Sequence, residues 1–248
     1  MKSTLFLLIA TLYFAPVCKG QTVDEIINMA IKKTGGAAKW TNLNGFKIIA
    51  KFDQGGIEFP LEIVQLADGR KYTRFTFQGD HIKQGVFDGK ILWRTNFQTM
   101  EPEKSDAETT ANVKLDSNDF PDALLNYHHK GYKVELLGKE VVAGTEAFKV
   151  KLVKEPITID GKEFDDISYY YFDSNTYLPI AHEFEMKHGP IKGSTMFIIL
   201  GDYREVQGLL FPFSMSQGVK DAPPQPLTVA SVEINPRIND KEFTYPGK

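Results

Sequence analysis

The sequence predicts a mainly β fold built on one large antiparallel sheet. From Gly45 onward, apolar residues recur at every second position in run after run, and the runs are separated by Gly, Asn, Asp and Pro positions that favour turns. Helical spacing shows at only two strong places, near residues 23 and 120, so repeating βαβ units are excluded. No break in composition divides the region from residue 21 to 248, which reads as a single domain.

The first 20 residues read as a secretory signal peptide. Met1 and Lys2 precede the apolar run Leu5-Phe6-Leu7-Leu8-Ile9-Ala10, which continues through Leu12, Tyr13 and Phe14 to small residues and Gly20. The run is shorter than the ~20 residues needed to span a bilayer. Cleavage after Gly20 would place the small residues Cys18 and Gly20 against the peptidase and remove the only cysteine. The alternative is a lipid anchor on Cys18, against which Val17 stands where Gly, Ala or Ser is usual. Export to the periplasm as a soluble protein is therefore expected. Without a cysteine the mature chain forms no disulfide, and its stability must come from burial.

The mature start predicts a helix. Val23, Ile26, Ile27, Ala30 and Ile31 share one face, Thr22 and Glu25 form a capping box, and Gly35-Gly36 is the stop. A short second helical piece carries Trp40 and Leu43. Strands follow: Phe46, Ile48, Ala50 and Phe52 alternate with Lys47, Ile49 and Lys51; Gln54-Gly55-Gly56 turns the chain into Ile57, Phe59, Leu61 and Ile63; Lys71 to Gln78 carries Thr73, Phe75 and Phe77 on one side; and 82–93 is a hairpin around Asp88-Gly89. Between Glu101 and Leu115 apolar density falls, as in an exposed loop or marginal helix. A second helix is expected from Asp119, with Pro121 in its first turn and Leu124, Leu125 and His128 behind it, ending before Gly131. Further strands are expected at 132–136, 148–152, 167–172, 177–186, 194–203, 209–216 and 227–234, for about eleven in all.

Met196 to Leu200 is apolar on both faces, and Tyr169-Tyr170-Tyr171-Phe172 puts rings on both. A strongly curved sheet filled on its concave face accounts for this, and so do the central strands of a sandwich.

The chemistry-bearing motifs are mostly negative. No nucleophile elbow, phosphate loop, H-E-x-x-H or C-x-x-C occurs. His128-His129 are adjacent and point apart, so they do not chelate as an i, i+4 pair does. His182 shares alternation with Phe184 and Met186, and His188 lies nearby with no third ligand spaced to join them. Asp165-Asp166 has the carboxylates for acid and base roles, but beside the loop-like Gly161 it reads as a strand-end cap. No metal, cofactor or catalytic residue is expected. A formal net charge of −3 argues against nucleic acid and gives no attraction to anionic lipid.

What remains is aromatic surface, 18 Phe and 10 Tyr, many at alternate strand positions, enough to line an apolar cavity that takes an acyl chain. The candidate lining residues are Phe46 and Ile48, then Phe59, Leu61 and Ile63, then Phe75, Phe77 and Trp93. In the second half they are Phe148, Val150 and Leu152, Tyr169 and Tyr171, Phe197 and Ile199, and Phe211. For any single ring packed core is the stronger reading, and the case for a cavity lies in their sum.

Several motifs in consistent order resemble the outer-membrane lipoprotein-sorting (LolA/LolB-like) carriers of Gram-negative bacteria. They are Asp24-Glu25-Ile26-Ile27 before Gly35-Gly36, Phe87-Asp88-Gly89-Lys90 leading to Trp93, and Tyr169-Tyr170-Tyr171-Phe172 ending at Tyr177-Leu178-Pro179-Ile180. The last is Asp202-Tyr203-Arg204 with Gly208-Leu209-Leu210-Phe211-Pro212. The resemblance implies an incomplete, half antiparallel β-barrel with helices over its open side, whose interior holds lipoprotein acyl chains or another lipid. It also implies a membrane donor or acceptor protein as partner, and a lid-latching arginine for which Arg70, Arg74 and Arg94 are the candidates. Two other functions stay open: a lipid-binding sensor or adaptor that docks through the segment from Glu101 to Asp116, and a secreted hydrolase with dispersed groups.

Overall fold

A computed structural model describes residues 20–77, 79–187, 189 and 191–247. The expected leader up to residue 19, Cys18 included, Gln78 at the end of the strand expected from Lys71, and His188 lie outside the described residues.

The chain opens with α1 (Val23–Lys33), whose capping box forms as the sequence predicts: the Glu25 N–H donates to Thr22 Oγ1 at 3.2 Å and the Thr22 N–H donates to Glu25 Oε2 at 2.8 Å. Its C-terminus closes with the Gly36 N–H on the Ile31 carbonyl and the Gly35 N–H on the Lys32 carbonyl, the Schellman pattern. Gly35 has φ +127°, and an added Cβ would lie 2.5 Å from the Gly208 carbonyl oxygen. Helix and sheet therefore touch backbone to backbone here, fixed by the Leu210 N–H on the Thr34 carbonyl at 2.9 Å. The short α2 (Ala37–Thr41) follows.

The strands are β1 (Gly45–Gln54), β2 (Ile57–Leu66), β3 (Lys71–Phe77), β4 (Asp80–Phe87), β5 (Leu92–Thr95) and β6 (Pro102–Lys104). After α3 (Ala107–Asp116) come β7 (Lys133–Val142), β8 (Thr145–Val153), β9 (Ile157–Ile159), β10 (Lys162–Phe164) and β11 (Ile167–Asp173). The last four are β12 (Pro179–Glu185), β13 (Thr195–Val206), β14 (Leu209–Val219) and β15 (Gln225–Ile234). Among the described residues, thirteen strands form one antiparallel sheet in the order β6-β5-β4-β3-β2-β1-β15-β14-β13-β12-β11-β8-β7, and β9 and β10 form a separate hairpin. The end strands β6 and β7 do not pair with each other, so the sheet stays open as a half-barrel. Register shifts in β1, β3, β7 and β11 supply local bends. The expectation of about eleven strands fell short because β6, β9 and β10 have three residues each, too few for period-2 alternation to show.

The middle of the chain differs from expectation. No α-helix runs from Asp119 to His128; one 3₁₀ turn at Ser117–Asp119 is followed by successive turns to Gly131. Asp122 Oδ1 accepts from the Leu124 N–H at 2.7 Å, and Asn126 has φ 59°, which a right-handed helix cannot contain. The helix lies earlier instead, at α3, started by Asp106, whose carboxylate accepts from the Thr109 N–H. Polarity hid it, because only Asn112 on it is buried. Asn112 Nδ2 donates to the Thr158 carbonyl, and Glu108 accepts from the Asp160 and Gly161 N–H groups, so α3 is tied to the β9–β10 hairpin.

One face of the sheet, the inner, carries α1 and the 120–131 turns. Ile26, Ile27 and Ala30 of α1 pack with Leu124 and Tyr127 onto Phe148, Val150, Leu152 and Phe172. Farther along, Trp40 and Phe120 cover Phe46, Ala50, Phe211, Leu227 and Val229. The outer face of the β2–β5 wing is closed by the C-terminal segment: Phe243 lies on Val64, Tyr72, Val86 and Trp93.

Candidate functional site

Burial of α1 on the inner face is incomplete, and the gap is a cavity of ≈ 330 Å³. Ile27, Ala30 and Ile31 form its helical wall, Leu124 and Leu125 its rim, and Tyr170, Phe172, Ile198, Leu200 and Met215 its sheet floor. Trp40 closes one end, edge-on to Phe211 with ring centroids 5.2 Å apart. Its size falls at the small end of ligand cavities, and its lining is mainly apolar, with Thr34, Asp122, His182 and the Tyr170 and Tyr203 phenols as the polar groups.

Two more cavities, of ≈ 390 and ≈ 410 Å³, adjoin it, and all three share Tyr170 and His182. The second is polar, with Gln65, Arg70, Lys71, Asp116, Asp119, Asp122 and Lys154 on its wall. The third runs beneath α3, between Val113 and the strands carrying Ser168 and Phe184.

Most charges around the second cavity are mutually satisfied. Lys154 Nζ lies 2.7 Å from Asp116, 3.0 Å from Asp119 and 2.9 Å from Asp166. Burial alone would lower the Lys154 pKa, but the Asp116 and Asp166 carboxylates outweigh it and hold the ammonium charged well beyond its ordinary range. Asp119 also accepts from Lys130 and from the Tyr132 hydroxyl. Burial raises the Asp122 carboxyl, and it keeps the Tyr170 phenol protonated. His182 is pushed down to about 4 by burial and then by the Lys154 charge, so its ring is neutral at pH 7.

Of the residues expected from sequence to line a cavity, Phe211 lies on the wall of the first. Phe148, Val150 and Leu152 share its face but are buried beneath α1 and the 120–131 turns. Phe46 and Ile48 also face inward, where Phe46 stacks on Phe120 with centroids 5.6 Å apart. Register places Leu61 opposite Ala50 and Phe75 opposite Leu61, so Phe59, Leu61, Ile63, Phe75 and Phe77 continue this face outward, where Phe77 is exposed. Trp93 is on the outer face under Phe243. Tyr169, Tyr171 and Phe197 pack on the outer face with Ala181 and Val142, and Ile199 has the parity of Phe197.

The missed residues are the alternate ones, Tyr170, Phe172, Ile198 and Leu200, on strands apolar on both faces, where period 2 gives no direction. A usable signal lay in β12. There Glu183 and Glu185 mark the outer parity, so His182 and Phe184 point in, and the observed pairing of His182 with Tyr170 and Ile198 carries that parity across the sheet. The latch candidates do not bond α1: Arg70 pairs with Asp68 and Asp240, Arg74 with Glu62 and Glu242, and Arg94 with Glu103. His128 is exposed beside Asp24, and Asp166 is a partner of Lys154. Among the described residues no group of three or more His, Cys, Asp or Glu side chains is placed to hold a metal ion. No described helix is long and apolar enough to cross a membrane.

No family model matches the chain, and no curated protein matches it. Solved structures do. A LolA superfamily protein from Nitrosomonas europaea superposes with a TM-score of 0.52 at 12% identity, over 91% of this chain and 98% of that one. A domain described as an outer membrane lipoprotein-sorting protein, from Vibrio parahaemolyticus, gives 0.51 at 10% identity, over 88% and 95%. The described chain is an open antiparallel half-barrel of the fold seen in LolA superfamily and lipoprotein-sorting proteins.

Proposed function

We propose that this protein is an exported carrier that binds the acyl chains of lipoproteins or other lipids between α1 and the sheet, and that residues 1–20 are its removable signal. The observation that carries the reading is the apolar cavity bounded by Ile27, Leu124, Phe172, Leu200 and Met215. At ~0.8 kcal/mol per buried methylene, a short length of chain repays several kcal/mol of the cost of leaving a membrane. The wall opposite the sheet is α1 and a run of turns rather than a strand ladder, so outward movement of α1 widens the cavity without breaking sheet pairing. Cargo shifts that movement only by binding the open form better. A mainly apolar lining with its carboxylates engaged by Lys154 and by the Leu124 N–H fits binding better than catalysis.

Sorting to the outer membrane is the destination we assign to the cargo. The sensor alternative gains little from the 101–116 segment, since α3 is fastened to β9–β10 and walls the third cavity. The test is native mass spectrometry of the protein purified from its own cell envelope. A lipoprotein or acylated peptide bound in simple ratio supports the proposal; a protein that carries nothing and takes up no fatty acid sinks it.

A further inference from the structure

Among the described residues, two polar side chains at the cavities carry a nitrogen with no hydrogen-bond partner. His182 lines all three cavities, and its Nε2 is buried with no hydrogen-bond partner among the described residues. An imidazole nitrogen left so is costly unless something outside the chain satisfies it. Lys71 lines the second cavity, and its side chain makes no hydrogen bond or ion pair among the described residues. The carboxylates around it are otherwise engaged: Asp116, Asp119 and Asp166 by Lys154, and Asp122 by the Leu124 N–H. The second cavity thus presents a donor, Lys71, and, on the wall it shares with the mainly apolar first, an unsatisfied ring nitrogen, His182. Both are matched by ligand oxygens.

We propose that His182 and Lys71 form a headgroup subsite: the carboxylate or ester oxygens of a singly acylated amphiphile sit in the second cavity while its chain lies in the first. This rests on the carrier reading and narrows it, because a bare hydrocarbon would leave both groups unsatisfied. The neutral His182 donates Nε2–H to a carbonyl or carboxylate oxygen when its proton is on that nitrogen, and Lys71 donates from Nζ. Lys154 and Lys130 leave one of the three carboxylates Asp116, Asp119 and Asp166 uncompensated, and Lys71 offsets it, so the preference for an acceptor head rests on the two donors rather than on a net positive charge.

Hexadecane, palmitic acid and 1-palmitoylglycerol, each displacing a bound fluorescent naphthylamine, separate the possibilities in wild type, His182→Phe and Lys71→Met. The expected result is unchanged hexadecane binding and about tenfold weaker binding of a headed ligand in each variant, with His182→Gln recovering part of it. Loss for palmitic acid alone identifies a carboxylate head; loss for both identifies the shared carbonyl oxygen. Equal weakening of hexadecane would mean that His182 and Lys71 only shape the cavity, and wild-type binding of all three ligands by both variants would remove the subsite while the carrier reading stands. Wild-type protein that takes up none of the three overturns both.

Discussion

The phenol ring of Tyr170 lies stacked on the imidazole of His182, centroids 4.4 Å apart and planes 30° apart, where three cavities meet. The pair spans the seam between β11 and β12, so the packing that joins these strands also positions the polar corner of an otherwise apolar site.

Because burial lowers the His182 pKa from 6.5 to about 4, the unfolded chain binds the extra proton first as pH falls. The neutral ring therefore costs no stability above pH 6.5, and stability is lost between 6.5 and 4, by roughly 3 kcal/mol when the loss is complete. Urea midpoints of wild type and His182→Phe at pH 7.5, 6 and 5 isolate this contribution. The variant should lose less stability on acidification; parallel lines for the two proteins would show that His182 is not held neutral.

Filling the first cavity should block uptake without unfolding the sheet. Leu200 is half-buried on its floor, and Leu200→Trp is expected to weaken binding of a fluorescent fatty acid by about tenfold or more. Phe197→Ala, on the outer face, should leave uptake unchanged, and titration of both variants decides between the two faces.

Lys154 holds three carboxylates from two segments. Lys154→Met leaves Asp116 and Asp166 without their ion-pair partner and Asp119 with Lys130 alone, which should cost about 3–5 kcal/mol by chemical denaturation. A cost under 1 kcal/mol would mean that water already screens the cluster.

The outer strap is separable from the site. Trp93 Nε1 donates to the Phe243 carbonyl at 2.9 Å, and the Phe243 ring is fully buried. Phe243→Ala should lower stability by about 3–5 kcal/mol with acyl binding per folded molecule unchanged. A loss of affinity larger than the unfolded fraction explains would tie the strap to the cavity.

Much of the fold was legible because the signals were local. Thr22 and Glu25 cap α1, Gly35-Gly36 ends it, and Gln54-Gly55-Gly56 turns β1 into β2, each through groups within a few residues of one another. The 120–131 region was not, since an apolar cluster at Leu124 and Leu125 suits a helix as well as buried turns, and only the left-handed Asn126 separates them. The presence of an aromatic-lined inner face was legible, but its parity was not. Where Tyr169 to Phe172 carries rings on both faces, direction is set by what covers each face, and α1 and Phe243 lie far away in sequence.

The most direct test places a ligand in the cavity atom by atom. With methyl-labelled protein and ¹³C-palmitic acid, nuclear Overhauser contacts are expected from the chain methylenes to the methyl groups of Ile27, Leu124, Leu200 and Met215. Contacts confined to exposed apolar residues such as Ile57, Leu137 and Val141, or no contacts at all, would contradict the assignment of this cavity as the acyl site.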